Sequence, residues 1–99
     1  MMRDLHRRIG LNKERYRAII EENPLRKVRQ EIGLSLPELA SHLEVSGQAI
    51  HYWEMGSVIP SHHNMVKIAK FLGLKVDKLE RKWDAWHKKL QSSSKDLSK

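Results

Sequence analysis

The stretch that decides the fold is Val45–Gly56, VSGQAIHYWEMG. Ser46 is a helix N-cap residue type and Gly56 a natural stop, so the segment reads as a helix of about two turns. Ile50 and Trp53, three apart, share one apolar side. Gln48, His51 and Tyr52 fall on the remaining faces, and the first helical position is Gly47, a poor helix former. A helix built only to pack has no use for that set. The pattern predicts one face held by the protein and another offered outward.

Working backwards, Glu44-Val45 is a short turn, preceded by a helix opened by Ser35. Ser35 and Glu38 have capping-box spacing and Pro37 falls in the first turn. Leu36, Leu39, Ala40 and Leu43 form its apolar stripe. Before it, Asn23-Pro24 is an N-cap followed by proline at the first helical position, where the missing N–H costs nothing. That helix carries Leu25, Val28, Arg29 and Ile32 and stops at Gly33. Working forwards, the loop GSVIPS leads to a helix capped by Ser61 and ended by Gly73, with Met65, Ile68, Ala69 and Leu72 facing inward. Asp77 is expected to cap a last helix reaching Leu90. The segment LNKERYRAIIEE predicts an additional helix capped by Asn12, with Tyr16, Ile19 and Ile20 on its apolar side. The expected fold is therefore all-α. It comprises an N-terminal helical extension (1–22), a five-helix domain (23–90) and a disordered polar tail, QSSSKDLSK (91–99).

Two helices joined by three or four residues cross steeply and make a helix-turn-helix, which projects the outer face of its second helix. The major groove of B-DNA admits one such helix. The run from Leu25 to Leu74 resembles the lambda-repressor/Cro-like helix-turn-helix family in one ungapped register. The landmarks are Leu25, Arg29, Gly33, Leu34, Ser35, Glu38, Leu39, Ala40, Val45, Ser46, Ile50, Trp53, Glu54, Gly56, Pro60, Ile68, Ala69, Leu72 and Gly73. The resemblance implies a five-helix DNA-binding domain, usually dimeric, whose reading side chains come from the helix after Ser46. Carried onto this sequence, the base-reading places are Gly47, Gln48 and Tyr52, flanked by Ala49 and His51. It also implies a partly buried ion pair between Arg29 and Glu54. The chain departs from the family at Leu36, where a phosphate-binding glutamine is common. It departs again at Glu44, in place of the turn glycine, and at Met55.

The chemistry agrees with the pattern. A glutamine amide pairs bidentately with adenine N6 and N7, and Tyr52, four residues on, shares the face of Gln48. Ser35, Ser46, Ser61, His62, His63 and Asn64 are candidate phosphate donors, because they lie at helix starts where unpaired N–H groups favour anions.

The 99 residues carry a formal charge of +7. Met1–Glu22 holds six basic and four acidic residues, Asn23–Gly73 five and four, and Leu74–Lys99 eight and four. The centre is nearly neutral, so base reading there must rest on specific side chains, while the ends supply non-specific attraction to a polyanion. With no cysteine, disulfides and thiolate metal sites are excluded. The six histidines form no recognisable ligand spacing, and no nucleophile with a paired base, carboxylate dyad or phosphate-cradling loop is present. No enzyme activity, cofactor or metal is expected. No apolar run has the length of a membrane span and the first residues lack an apolar signal core, which points to a cytoplasmic protein.

Val76, Leu79, Trp83, Trp86 and Leu90 follow heptad-like spacing. Such a stripe commonly completes a domain's own core and can also meet a second copy; a shared role is expected, with Leu79, Trp83, Trp86 and Leu90 as candidate dimer-interface residues, Trp86 and Leu90 foremost. The leading reading is a repressor that binds a short palindromic operator in double-stranded DNA as a homodimer. One alternative is an antitoxin that binds its own promoter and holds a toxin through its terminal helices; another is a protein-interaction module that has lost DNA binding, which Leu36 and the neutral centre support. A protein partner, toxin or antirepressor, would use Tyr16, Ile19, Trp83 and Trp86.

Overall fold

Capping chemistry places the helices. The computed structural model describes residues 13–97. They form α1 over 13–21, α2 Pro24–Glu31, α3 Leu36–Leu43, α4 Gly47–Glu54, α5 His62–Leu72 and α6 Val76–Leu97, with no strand among the described residues. The Oδ1 of Asn23 accepts from the N–H groups of Leu25 and Arg26 at 3.0 and 2.9 Å. Ser35 and Glu38 complete a reciprocal capping box, and Ser46 and Ser61 accept from Ala49 and Asn64. The expected Asn12 cap lies outside the described residues.

Four helices end in one way. After α2, α3, α4 and α5 the chain enters the left-handed region at Gly33, Glu44, Gly56 and Gly73, with φ of 76°, 55°, 78° and 71°. In each case the next N–H reaches back over a full turn, as Val45 N–H does to Ala40 O at 3.1 Å. This is the Schellman termination, which satisfies carbonyls the helix leaves unpaired. Glu44 therefore preserves the glycine turn geometry between α3 and α4, at the steric cost that a Cβ brings there.

Two boundaries differ from the sequence reading. α6 begins at Val76, so Asp77 sits in its first turn, 3.6 Å from Arg81, instead of capping it. The helix also runs on to Leu97, where the polar composition predicts a disordered tail from residue 91. Ser93, only 4% exposed, lies one turn beyond Leu90 on the same stripe, so burial continues past the last large apolar residue. A helix already nucleated and anchored extends at little cost.

Leu25, Leu39, Ile50, Ile68, Leu79 and Trp83 are essentially inaccessible, and Ile19, Ile20, Leu43, Trp53, Met65, Trp86 and Leu90 complete the core. α1 is part of this core. Its Ile19 carbonyl accepts from the indole N–H of Trp86 at 2.6 Å, and Glu22 at its end pairs with Lys89 at 2.8 Å. The α6 stripe is thus used inside the chain. Leu79, Trp83, Trp86 and Leu90 are each no more than 5% exposed, so none presents a seam to a second copy. Heptad-like spacing identified a buried stripe correctly, but its cover is α1, α2 and α5.

Candidate nucleic-acid interface

α4 is held on three sides. Ile50 and Trp53 enter the core, and the next residue, Glu54, is 1% exposed although charged. Its carboxylate receives Arg29 Nε at 2.7 Å and Nη2 at 2.9 Å, a bidentate clamp from α2. Arg29 Nη1 donates to Leu34 O at 2.8 Å, which ties the same guanidinium to the entrance of α3. These Glu54 hydrogen bonds raise the Arg29 pKa above its already high ordinary value, so the guanidinium stays charged. Arg26 adds a longer contact to Glu54 at 3.4 Å and bonds Glu21 of α1 at 2.9 and 3.2 Å. The orientation of α4 is thereby fixed from α1 and α2 together. Sequence reading found Arg29 and missed Arg26, because nothing in the spacing distinguishes Arg26 from a solvated arginine.

The opposite face of α4 is open. Gln48, His51 and Tyr52 are exposed, while Gly47 and Ala49 are half-buried. Gln48 Nε2 donates to Tyr52 Oη at 2.9 Å, so the two outward side chains are joined to each other. The N-terminus of α4 lies against that of α3: a Cβ at Gly47 would meet only the Leu36 backbone and Cβ, at 3.9–4.0 Å. That is ordinary contact, so the fold does not require glycine at this place.

The two adjoining helix starts are unequal as anion sites. In α3, Pro37 has no N–H, the Glu38 N–H is taken by Ser35, and the Glu38 carboxylate occupies the end. In α4, Gly47 and Gln48 retain first-turn N–H groups without intrahelical partners. Side-chain donors near α3 are few as well, since Leu36 is half-buried against the core.

At the start of α5, His62 is not simply presented outward. Its Nδ1 lies 2.8 Å from Glu80 Oε1 of α6, a link across 18 residues that spacing alone does not reveal. His63 and Ser61 are exposed and Asn64 is half-buried. Among the described residues no group of three His, Asp or Glu side chains is placed to hold a metal ion, and no helix is long and apolar enough to cross a membrane.

A short helix braced by its neighbour, with Gln48, His51 and Tyr52 turned outward, is the architecture of a helix-turn-helix DNA-binding protein. A model of the helix-turn-helix family, of lambda-repressor/Cro type, matches residues 25–79, more than half of the chain. The chain belongs to that family, one of DNA-binding transcription regulators. No curated protein and no solved structure gives a significant match.

Proposed function

We propose that the protein is a sequence-specific repressor that reads a palindromic operator as a homodimer, with α4 in the major groove. The observation that carries this reading is the division of α4. Ile50, Trp53 and Glu54 lock one side into the body, and Gln48, His51 and Tyr52 face away. Gln48 and Tyr52 read bases, Gly47 and Ala49 allow close approach, and His51 flanks the contact. Ser46, Ser61, His63 and the first N–H groups of α4 hold phosphates, with Ser35, His62 and Asn64 as secondary contacts.

With the α6 stripe buried, the dimer needs another surface. Val58 and Ile59, 50% and 54% exposed, are the one adjacent pair among the exposed large apolar residues described. Beside them a groove of about 380 Å³ is floored by Pro60, Met65 and Trp83. Its rim carries Glu80 and Asp84 together with Arg81 and His87. Acids and bases on one face suit a copy related by a two-fold axis, because each then meets its opposite. The antitoxin reading has less support: of Tyr16, Ile19, Trp83 and Trp86, the last three lie in the core and Tyr16 is half-buried against it.

The test is selection of bound sequences from random duplex DNA at two salt concentrations. A palindrome with half-sites about one helical turn apart, weakening as salt rises, is the expected result. Binding without any motif would overturn it.

A further inference from the structure

We propose that Tyr52 is a specificity-determining residue that acts through Gln48, orienting its amide so that the pair reads adenine in preference to guanine. The inference rests on the major-groove reading of α4 and deepens it.

The observation is the 2.9 Å hydrogen bond from Gln48 Nε2 to Tyr52 Oη, made between exposed side chains one helical turn apart. A free glutamine amide rotates readily and can present two donors from Nε2, or one donor and the Oε1 acceptor. The tyrosine removes that choice. One Nε2 hydrogen is spent on Oη, which leaves one N–H and Oε1. Among the described residues Oε1 accepts no hydrogen bond from the chain, so it is available outward.

One donor beside one acceptor is the complement of adenine, which shows N7 as acceptor and N6–H as donor in the major groove. Guanine shows two acceptors, N7 and O6, and wants two donors. Against guanine the held amide can supply only one, and Oε1 faces O6 with no hydrogen between them. Tyr52 gains a second capacity from the same bond. Acting as acceptor toward Gln48, its hydroxyl keeps its own hydrogen for a phosphate oxygen or a thymine O4.

The experiment takes the operator from the selection above and locates the position whose preference disappears in Gln48→Ala. Dissociation constants are then measured by fluorescence anisotropy for duplexes carrying each base pair there, with the wild-type chain and with Tyr52→Phe. Thermal melts of both chains confirm that the variant is folded. The expected result is an adenine preference over guanine of about tenfold or more in the wild type. In Tyr52→Phe the ratio falls below about threefold, because the released amide can turn both N–H groups to guanine. Two results would overturn the proposal: a guanine preference in the wild type, or an unchanged ratio in Tyr52→Phe. An unchanged ratio with affinity lost equally for all four bases would make Tyr52 a phosphate contact alone. A wild-type chain that selects no motif fails earlier, at the regulator reading itself.

Discussion

Gly47 is the residue where stability and binding part company. Its φ lies outside the left-handed region and a Cβ there meets only ordinary contacts with Leu36, so folding gains nothing from glycine. Gly47→Ala should raise stability by about 0.5–1 kcal/mol through helix propensity while weakening operator binding, as read by a thermal melt and an anisotropy titration on the same sample. A gain in stability with unchanged affinity would remove Gly47 from the interface. Arg29 behaves oppositely. Arg29→Met leaves Glu54 buried, with only the longer Arg26 contact, and should cost about 3–5 kcal/mol in chemical denaturation. Adding Glu54→Leu removes the stranded charge and should recover much of that loss. The outward placement of Gln48 and Tyr52 was legible from sequence, since both lie off the side that Ile50 and Trp53 mark as inward. Their mutual hydrogen bond was not legible, because it depends on rotamers that spacing leaves open.

At the scale of the element, termini were the most readable feature. Asn23, Ser35, Ser46 and Ser61 each cap the helix they announce, and Gly33, Gly56 and Gly73 each terminate one. These signals are local and need no knowledge of the rest of the chain. α6 shows where local reading stops. Its stripe was visible, yet the same periodicity serves an internal core or a partner helix, and only the positions of α1, α2 and α5 decide. The capping box also sets a pH dependence. Hydrogen bonds from the Ser35 N–H hold the Glu38 carboxyl below its ordinary value, and Arg26 does the same for Glu21. In the unfolded chain both titrate near 4.5. Their folded values are lower, so their contribution is complete above that pH and is lost as pH falls through the folded values. Melting temperature should decline below pH 4.5, and Glu38→Gln should flatten part of that decline in a pH series of melts.

At the scale of the molecule, charge and apolar exposure divide the labour. The centre is nearly neutral and the carboxy-terminal quarter strongly basic, so the proposed reading rests specificity on the side chains of α4 and salt-dependent attraction on the basic ends. The pairing surface proposed above is the α4–α5 loop. Ile59→Asp should lower self-association in sedimentation equilibrium by at least about tenfold, equivalent to 1.4 kcal/mol, and turn cooperative occupancy of a full palindrome into independent half-site binding. Unchanged association would move the dimer surface away from the loop.

The burial of all three tryptophans has a practical consequence. Trp53, Trp83 and Trp86 are 4%, 1% and 5% exposed, and none stands on the outer face of α4. Tryptophan emission from this chain, excited selectively, is therefore a signal of the core alone. It should sit towards the blue in the native protein, shift to the red when the core opens, and remain nearly unchanged when duplex DNA docks on Gln48 and Tyr52. A variant that has lost its operator but kept its colour has lost recognition; one that has lost both has lost its fold.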